Sequence, residues 1–321
     1  MKKKISFWSY SRHLENRIIP SLKSNKNIVP VAIFSKKTQT IKKNDYLKNI
    51  KIFSNKKKFL LDSSYKTVYI SSVTGSHYKN CIDALNYNKN IICEKPMALN
   101  PIQIKNIFEL AISKKLYVHE VFQYTFHPLF LKIKNILKSN ILGDLINIES
   151  KFTAPIHDTK SFRFKKSLGG GAVYDMGIYP LSLNIFLFNN LDPKLIDSKI
   201  YFSKKHNIDL RGSIITMHKK ATFKQEWGFN MGYQNYLKIK GSKGELRADF
   251  IFSKKNIDNG IIKIKKKKIK TKKIKTKNAN QINLAFTHYL NKKNTLKDKI
   301  KTIKLSRLIN TILTKLKKNI V

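Results

Sequence analysis

The chain is 321 residues long and 41% hydrophobic, which is enough apolar material for two domains with separate cores and excludes a disordered protein. Its 65 basic and 19 acidic side chains give a net charge of +46, a balance that would suit nucleic acid or an anionic membrane. The two cysteines, Cys81 and Cys93, exclude a disulfide framework, have no metal-ligand spacing, and fit a reducing cytoplasm.

Strand and helix alternate over the first 120 residues. Strands are predicted at apolar runs typical of burial on both faces, at 4–8, 28–34, 67–71, 90–93 and 116–121. Helices are predicted at 15–23, 78–86 and 100–114, the last with Asn100 as N-cap and Pro101 at the first helical position. This alternation predicts βαβ units, and therefore a Rossmann-type α/β domain with a parallel sheet over residues 1–120.

The pattern changes to longer strands with few helices between them after about residue 145. These strands are predicted at 146–153, 199–202, 212–218, 221–228 and 236–240. Residues 261–277 alternate isoleucine or threonine with lysine, which we interpret as a half-exposed hairpin rather than a nucleic-acid-binding arm. A helix at 299–317 ends the series and can pack back on the first domain. Residues 121–321 are thus predicted to form an α+β domain with a large, mostly antiparallel sheet, for substrate binding and oligomerisation.

No signal peptide or membrane span is expected. The lysine-rich start is followed by an apolar stretch of only four residues, Ile5–Trp8, before charged residues interrupt it. No later run approaches the roughly 18 apolar residues that a spanning helix needs. We therefore expect a cytoplasmic protein without a membrane partner.

The turn after the first strand is where a dinucleotide pyrophosphate would bind, because a helix N-terminus presents free N–H groups there. The glycine positions of the usual G-x-G-x-x-G pattern are taken by Ser9, Ser11 and Leu14. Serine is small and can offer its hydroxyl to phosphate, and Arg12 lies in the same turn. Leu14 is harder to fit where the helix packs on the strand.

The loop after the second strand indicates which nicotinamide cofactor is preferred. An acidic residue there would bind the ribose hydroxyl of NAD, whereas this chain has Ser35-Lys36-Lys37. Because the acid is missing, we expect NADP(H) to be preferred, with NAD(H) as the alternative. A lysine-rich chain would place lysines in many loops by composition alone. The missing acidic residue is therefore stronger evidence for NADP(H) than the two lysines are.

Two further segments combine residues suited to chemistry. Cys93-Glu94-Lys95-Pro96 follows a buried strand, so Lys95 is expected to point into the ligand crevice at the carboxyl end of the sheet. A glycine-rich helix start at 169–171 precedes Asp175 and Tyr179. These two are four residues apart and are predicted to share one helix face.

The chain resembles the glucose–fructose oxidoreductase, inositol dehydrogenase and rhizopine catabolism (Gfo/Idh/MocA) family over nearly its whole length. The resemblance is carried by the Glu-Lys-Pro turn and the Gly-Gly-Gly…Asp-x-Gly-x-Tyr segment, together with several shorter motifs. These are Arg17–Leu22, Val68–Ile70, His119–Pro128, Leu142–Asp144 and Gly241–Leu246. Phe-x-Tyr-x-Phe-His-Pro at 122–128, with tyrosine at 179, looks most like the branch with dihydrodiol and xylose dehydrogenases.

The resemblance implies hydride transfer between NADP(H) or NAD(H) and a carbon bearing a hydroxyl or carbonyl oxygen, usually on a sugar. Lys95 would hydrogen-bond the substrate oxygen and hold the nicotinamide side of the site. Tyr179 would be the proton donor or acceptor, favoured in that role by the Lys95 ammonium. Asp175 would orient the substrate hydroxyl or Lys95. Arg163 would bind the substrate, with His157 as a weaker candidate.

On the cofactor side, the resemblance implies contacts from Glu94 at the nicotinamide end and from His77 where the cofactor passes the sheet edge. Ser72 would contribute from the loop after the third predicted strand, although Ser71–Thr74 replaces a proline-rich loop that the family usually has there. His119 and His127 are interpreted as structural, and no metal is expected.

Three function classes remain open at this point. The leading one is an NADP-preferring sugar dehydrogenase, expected to be a homo-oligomer (a dimer or tetramer) through the face of its large sheet. The second is a non-catalytic relative with a degenerate cofactor site that binds a sugar or a protein. The third, a nucleic-acid-binding protein, depends on charge alone. We do not favour it because only six basic residues are arginine, and abundant lysine, isoleucine and asparagine indicate compositional bias.

Overall fold

The computed structural model describes residues 2–42, 45–253, 260–266, 271–292, 296–316 and 318–321. The chain divides into two compact units. The first comprises Met1–Gln123 and Ile282–Ile303, and the second comprises Tyr124–Gln281 and Lys304–Val321.

The first unit is built on a parallel sheet that has six strands within the described ranges. They are β1 (Lys3–Trp8), β2 (Ile28–Phe34), β3 (Lys51–Phe53), β4 (Thr67–Ile70), β5 (Asn90–Cys93) and β6 (Val118–Glu120). Their spatial order is β3-β2-β1-β4-β5-β6, with every neighbouring pair parallel. This is the order of a doubly wound dinucleotide-binding sheet, whose crevice lies where the order reverses, between β1 and β4. The predicted Rossmann-type domain is confirmed.

Helices connect these strands. They are α1 (Ile19–Lys23), α2 (Lys56–Leu61), α3 (His77–Asn86) and α4 (Pro101–Ser113). A wider π-helical turn, Leu14–Ile18, leads into α1. The predicted cap of α4 is confirmed, since the Asn100 side chain accepts a hydrogen bond from the Gln103 amide at 3.0 Å.

The second unit is built on a sheet of nine strands within the described ranges. They are β7 (Leu145–Thr153), β8 (Lys194–Ser203), β9 (Ile208–His218), β10 (Ala221–Gly228), β11 (Gln234–Gly241), β12 (Gly244–Asp249), β13 (Ile261–Lys266), β14 (Lys272–Lys275) and β15 (Lys318–Ile320). The order is β14-β13-β12-β11-β7-β10-β9-β8-β15. Among the described strands of this second sheet, only the β7–β10 and β8–β15 pairs are parallel, so the predicted mostly antiparallel sheet is confirmed.

Residues alternate between the two faces of this sheet. In β10 the side chains of Ala221, Phe223, Gln225 and Trp227 are buried, while those between them are less so. Two helices belong to the second unit, α5 (Pro128–Lys138) and α6 (Ile178–Phe186), and a π-helical turn at Val173–Gly177 leads into α6. Two more helices, α7 (Gln281–Asn291) and α8 (Leu296–Thr314), lie between β14 and β15 in the sequence.

The remaining short helical segments are single 3₁₀ turns. They lie at Thr38–Thr40, Thr74–Ser76, Gln123–Phe126, Phe162–Phe164 and Lys166–Leu168. The predicted hairpin at 261–277 is confirmed by the antiparallel pairing of β13 with β14, although residues 267–270 lie outside the described residues.

Candidate active site

An open cleft of ≈ 590 Å³ lies in the first unit at the carboxyl ends of β1, β2 and β4. Four residues predicted to bind a cofactor line it, namely Ser9, Ser35, Lys36 and Ser72. The other lining residues are Trp8, Tyr10, Phe34, Lys37, Thr40, Lys56, Ser76, Lys79, Asn80 and Asp83. The predicted residues Ser11, Arg12, His77, Glu94 and Lys95 are not among them.

Ser9 adopts the conformation that the first glycine of the fingerprint would have. Its φ is +84°, in the left-handed region that non-glycine residues rarely enter. Two hydrogen bonds hold its backbone there: its amide donates to the Phe34 carbonyl at 2.9 Å, and its carbonyl accepts from the Ser71 hydroxyl at 3.3 Å. The tight turn therefore persists without glycine, at a conformational cost on the order of 1–2 kcal/mol.

Ser11 and Leu14 shape the helix start. The Ser11 hydroxyl accepts a hydrogen bond from the Leu14 amide at 3.1 Å, as an N-cap does. Leu14 is fully buried and begins the π-helical turn, so its side chain occupies core space where glycine would allow close helix–strand packing. Arg12 is exposed in the first turn of this helix.

The loop after β2 carries the residues expected to select the cofactor. The Ser35 hydroxyl accepts from the Lys37 amide at 3.1 Å, and both lysines of the loop are exposed. Among the described lining residues Asp83 is the one carboxylate, and Lys56 neutralises it in an ion pair of 2.6 Å. The cleft is therefore basic and suits a phosphorylated ligand.

Lys95 is half-buried in the turn that follows β5, and the Lys95–Pro96 peptide is cis. Beside it, Glu94 accepts a hydrogen bond from the Tyr69 hydroxyl at 2.6 Å and lies 3.4 Å from Nε2 of His13. Burial alone would raise the pKa of Glu94, but His13 and Tyr69 outweigh it and lower that pKa below its ordinary value. Glu94 is therefore a fixed carboxylate beside Lys95.

His77 lies in the interior rather than on the cleft wall. It is 1% exposed, and its ring nitrogens are each 2.8 Å from a carbonyl oxygen, Nδ1 from Pro96 and Nε2 from Ser72. Burial is the main reason that its pKa is lowered. His77 thus ties the Lys95 turn to the Ser72 loop of the cleft.

Glu120 is a site residue that sequence reasoning did not single out. It ends β6 beside Cys93, and its Oε1 accepts a hydrogen bond from the Met97 amide at 2.8 Å. Burial raises the pKa of Glu120 to about 7, although the Met97 amide and the Lys95 charge oppose the rise. Like Lys95, Glu120 stands at the carboxyl end of a parallel strand, and this position could have identified it from the sequence.

In the second unit, a buried carboxylate holds the glycine-rich turn. Asp209 is 1% exposed, and its Oδ2 accepts from the Val173 amide at 2.8 Å and from Nε1 of Trp227 at 3.0 Å. Burial raises the pKa of Asp209 to about 6. Gly171 has a φ of +124°, and a Cβ there would lie 2.6 Å from Oδ1 of Asp209. No sequence signal linked Asp209 in β9 to this turn.

Asp175 and Tyr179 lie on either side of the change from π-helical turn to α6, and both are half-buried. Asp175 accepts from Nε of Arg163 at 2.6 Å. The Tyr179 ring packs against Phe152 and Phe252, at centroid distances of 5.2 and 5.6 Å. The structure thus joins Arg163 to Asp175 and holds the Tyr179 ring in place. His157 is exposed in the preceding loop.

The other two histidines of interest have structural contacts. The His127 Nδ1 accepts from the Leu129 amide at 3.0 Å and caps α5. His119 is stacked on Tyr289 and lies 2.7 Å from the Lys292 carbonyl. Burial lowers the pKa of His119 to about 4, so it is neutral at physiological pH. Both observations agree with the structural roles predicted for them.

The described residues contain no cluster of three or more His, Cys, Asp or Glu side chains that could hold a metal ion. Within the same ranges, no helix has both the length and the apolar character needed to cross a membrane.

Two family models match the chain and together cover more than half of it. The model "Oxidoreductase family, NAD-binding Rossmann fold" matches residues 11–122. The model "GFO/IDH/MocA C-terminal domain" matches residues 130–247.

Curated relatives include dehydrogenases and a sugar ketoreductase. A trans-1,2-dihydrobenzene-1,2-diol dehydrogenase of Xenopus laevis is 26% identical over 170 residues, 53% of this chain and 51% of the relative. A dTDP-3,4-didehydro-2,6-dideoxy-alpha-D-glucose 3-reductase of Actinomadura kijaniata is 24% identical over 187 residues, which cover 58% of this chain and 56% of the relative. The D-xylose 1-dehydrogenase (NADP(+)) of Hypocrea jecorina is 27% identical over 153 residues, which cover 45% of this chain and 39% of the relative. The matched part thus spans about half the length of the first two relatives and less of the third.

Solved structures share the fold. A 3-ketoreductase from Actinomadura kijaniata, in complex with NADP and TDP-benzene, has a TM-score of 0.93 at 16% identity, covering 100% of both chains. An aldose-aldose oxidoreductase from Caulobacter crescentus, complexed with glycerol, has a TM-score of 0.83 at 16% identity, covering 97% of this chain and 96% of that one. At such identities the likeness shows the fold alone.

Proposed function

The chain belongs to the GFO/IDH/MocA oxidoreductase family, and we propose that it transfers a hydride between NADP(H) and a carbon bearing a hydroxyl or carbonyl oxygen on a sugar or sugar derivative. The observation that carries the proposal is the left-handed Ser9 at the edge of the basic cleft. A chain without glycine at this first fingerprint position keeps the positive φ of the tight turn that leads from β1 to the pyrophosphate-binding helix N-terminus.

The residues of the cleft fit a dinucleotide. Ser9 and Ser72 would hold it at the ends of β1 and β4, and Ser11 and Arg12 would contribute from the helix start. Ser35 and Lys36 would bind the 2′-phosphate of NADP, since the cleft has no unpaired carboxylate among its described lining residues to favour NAD. NAD(H) remains the alternative cofactor. Bound there, the nicotinamide would supply or accept the hydride.

The chain's own groups would supply orientation and proton transfer. Lys95 would hydrogen-bond the reacting oxygen, and Glu94 and His77 would keep the Lys95 turn in place through the contacts described above. Tyr179 would give a proton to that oxygen or take one from it, as a general acid or base. Asp175 would orient the substrate hydroxyl, and Arg163 would contact the substrate. The names of two relatives, a dideoxyglucose 3-reductase and a D-xylose 1-dehydrogenase, support the class of reaction.

Fluorescence titration of the purified protein with NADPH and with NADH tests the proposal. We expect saturable binding of both, with NADPH tighter by about tenfold through charge-assisted bonds to one added phosphate. If neither NADPH nor NADH binds, the proposal is contradicted and a non-catalytic relative that binds a sugar or a protein is favoured. Self-association remains a separate proposal, which light scattering of the purified protein would test.

A further inference from the structure

The guanidinium of Arg163 is fixed in orientation by two contacts. Its Nε donates to Oδ2 of Asp175 at 2.6 Å, and its central carbon lies 4.9 Å from the centroid of the Phe162 ring. The first contact fixes one edge of the planar group, and the ring restricts one face. An arginine held in this way has lost much of the side-chain freedom that an exposed arginine normally has.

The backbone that carries Arg163 is fixed as well. Its carbonyl accepts a hydrogen bond from the Gly171 amide at 2.9 Å. A Cβ on Gly170 would lie 2.5 Å from the same carbonyl oxygen, so only glycine permits this approach of the loop to the glycine-rich turn. The loop that carries Arg163 is therefore attached to the turn that leads to Asp175 and Tyr179.

One edge of the guanidinium remains for a ligand. Within the described part of the chain, the side-chain hydrogen bond of Arg163 to Asp175 is made by Nε and none is made by Nη1 or Nη2, and the side chain is 35% exposed. These nitrogens present parallel N–H groups whose spacing matches the two oxygens of a carboxylate or phosphate. A neutral sugar would leave that pairing unused.

We propose that Arg163 binds an oxyanion carried by the substrate, and that Asp175, through Oδ2, is the positioning residue that orients Arg163 for it. The substrate is then an anionic sugar derivative, a sugar acid or a sugar phosphate. Asp175 is four residues from Tyr179, about one helical turn, which places the oxyanion on or close to the reacting sugar. This inference rests on the proposed function, because it concerns a group of the same substrate.

The general positive charge of the chain is the competing explanation for any anion preference, so the test needs a matched control. Lys166 is exposed on the same loop, three residues from Arg163. Lys166→Gln and Arg163→Gln each remove one positive charge from this loop, but only the second removes the oriented fork. Circular dichroism and melting temperature would verify that each variant is folded, and Arg163→Lys provides a second variant that keeps the charge.

Calorimetric titration with D-glucose, D-glucuronate and D-glucose 6-phosphate, with and without NADPH, measures the preference directly. We expect at least one anion to bind the wild type about tenfold more tightly than glucose, as charge-assisted bonds to a partly exposed arginine allow. Whichever anion binds more tightly distinguishes a sugar acid from a sugar phosphate. Arg163→Gln should abolish the preference and Arg163→Lys should weaken it, whereas Lys166→Gln should retain it.

The role of Asp175 has its own readout. Asp175→Ala should reduce the anion preference, and Asp175→Asn, which keeps an oxygen acceptor for Nε, should restore most of it. The inference is overturned if the wild type shows no anion preference, or if Arg163→Gln and Lys166→Gln change it equally. Because binding is measured without turnover, these results are distinct from a failure of hydride transfer, which would contradict the proposed function instead.

Discussion

Replacing Ser9 with glycine should stabilise this protein, because Ser9 holds a backbone conformation that favours glycine. Ser9 has a φ of +84°, which costs a residue with a Cβ roughly 1–2 kcal/mol. Glycine removes that cost but loses about 0.5–1 kcal/mol to its greater freedom in the unfolded chain. The two hydrogen bonds at Ser9 involve only its backbone atoms, so both survive. We expect a net gain of about 1 kcal/mol in the free energy of unfolding.

Thermal and denaturant unfolding of wild type, Ser9→Gly and Ser9→Ala would measure this gain. For a unit of this size, about 1 kcal/mol corresponds to a rise in melting temperature of roughly 2–4 °C. Ser9→Ala removes the hydroxyl but keeps the Cβ, so it should show no such rise. NADPH should bind Ser9→Gly at least as tightly as wild type. A loss of stability in Ser9→Gly, or an equal gain in Ser9→Ala, would refute the argument from backbone strain.

Three further predictions follow from the site. Glu120 has a pKa of about 7 in the folded protein, above its ordinary 4.5. The stability that it contributes is therefore fully present below pH ~4.5 and is lost as the pH rises through 7. The free energy of unfolding should fall by on the order of 3 kcal/mol over this range. Glu120→Gln keeps an acceptor for the Met97 amide and should flatten that dependence in denaturant unfolding at several pH values. An unchanged profile would contradict the assignment. Asp209→Ala should lower the free energy of unfolding by roughly 2–4 kcal/mol, because it leaves two buried donors without an acceptor; a loss below ~1 kcal/mol would argue against this role. Lys36→Glu should weaken NADPH binding by about tenfold and leave NADH binding unchanged. Lys57→Glu is the charge-matched control outside the cleft; if the two variants weaken NADPH binding equally, the effect comes from the overall positive charge of the protein.

The parallel sheet could be predicted because its strands are apolar runs with clear ends. The predicted ranges 28–34 and 90–93 coincide with β2 and β5. By contrast, β3 and α2 were missed, since the segment at 51–61 is rich in lysine and has little apolar periodicity. β12 was missed because its small and charged residues resemble a loop, and β15 because it is three residues long.

The site could be predicted only where local motifs carry it. The turn with Lys95 and the helix with Asp175 and Tyr179 follow from spacing and resemblance. The left-handed Ser9 could not be foreseen, because non-glycine residues with positive φ are uncommon. The contact of Asp209 with the glycine-rich turn joins residues 36 positions apart, and no local pattern encodes such a pairing.

In the proposed function, hydride transfer depends on Lys95, and turnover of a panel of sugars, sugar acids and nucleotide sugars with NADP⁺ measures this dependence. We expect the wild type to reduce NADP⁺ with at least one of them. Lys95→Ala should lose turnover by several orders of magnitude while its NADPH affinity changes only a few-fold, since its effect is on the reacting oxygen. Turnover that persists in Lys95→Ala would contradict the assignment of the Lys95 turn as the centre of the chemistry.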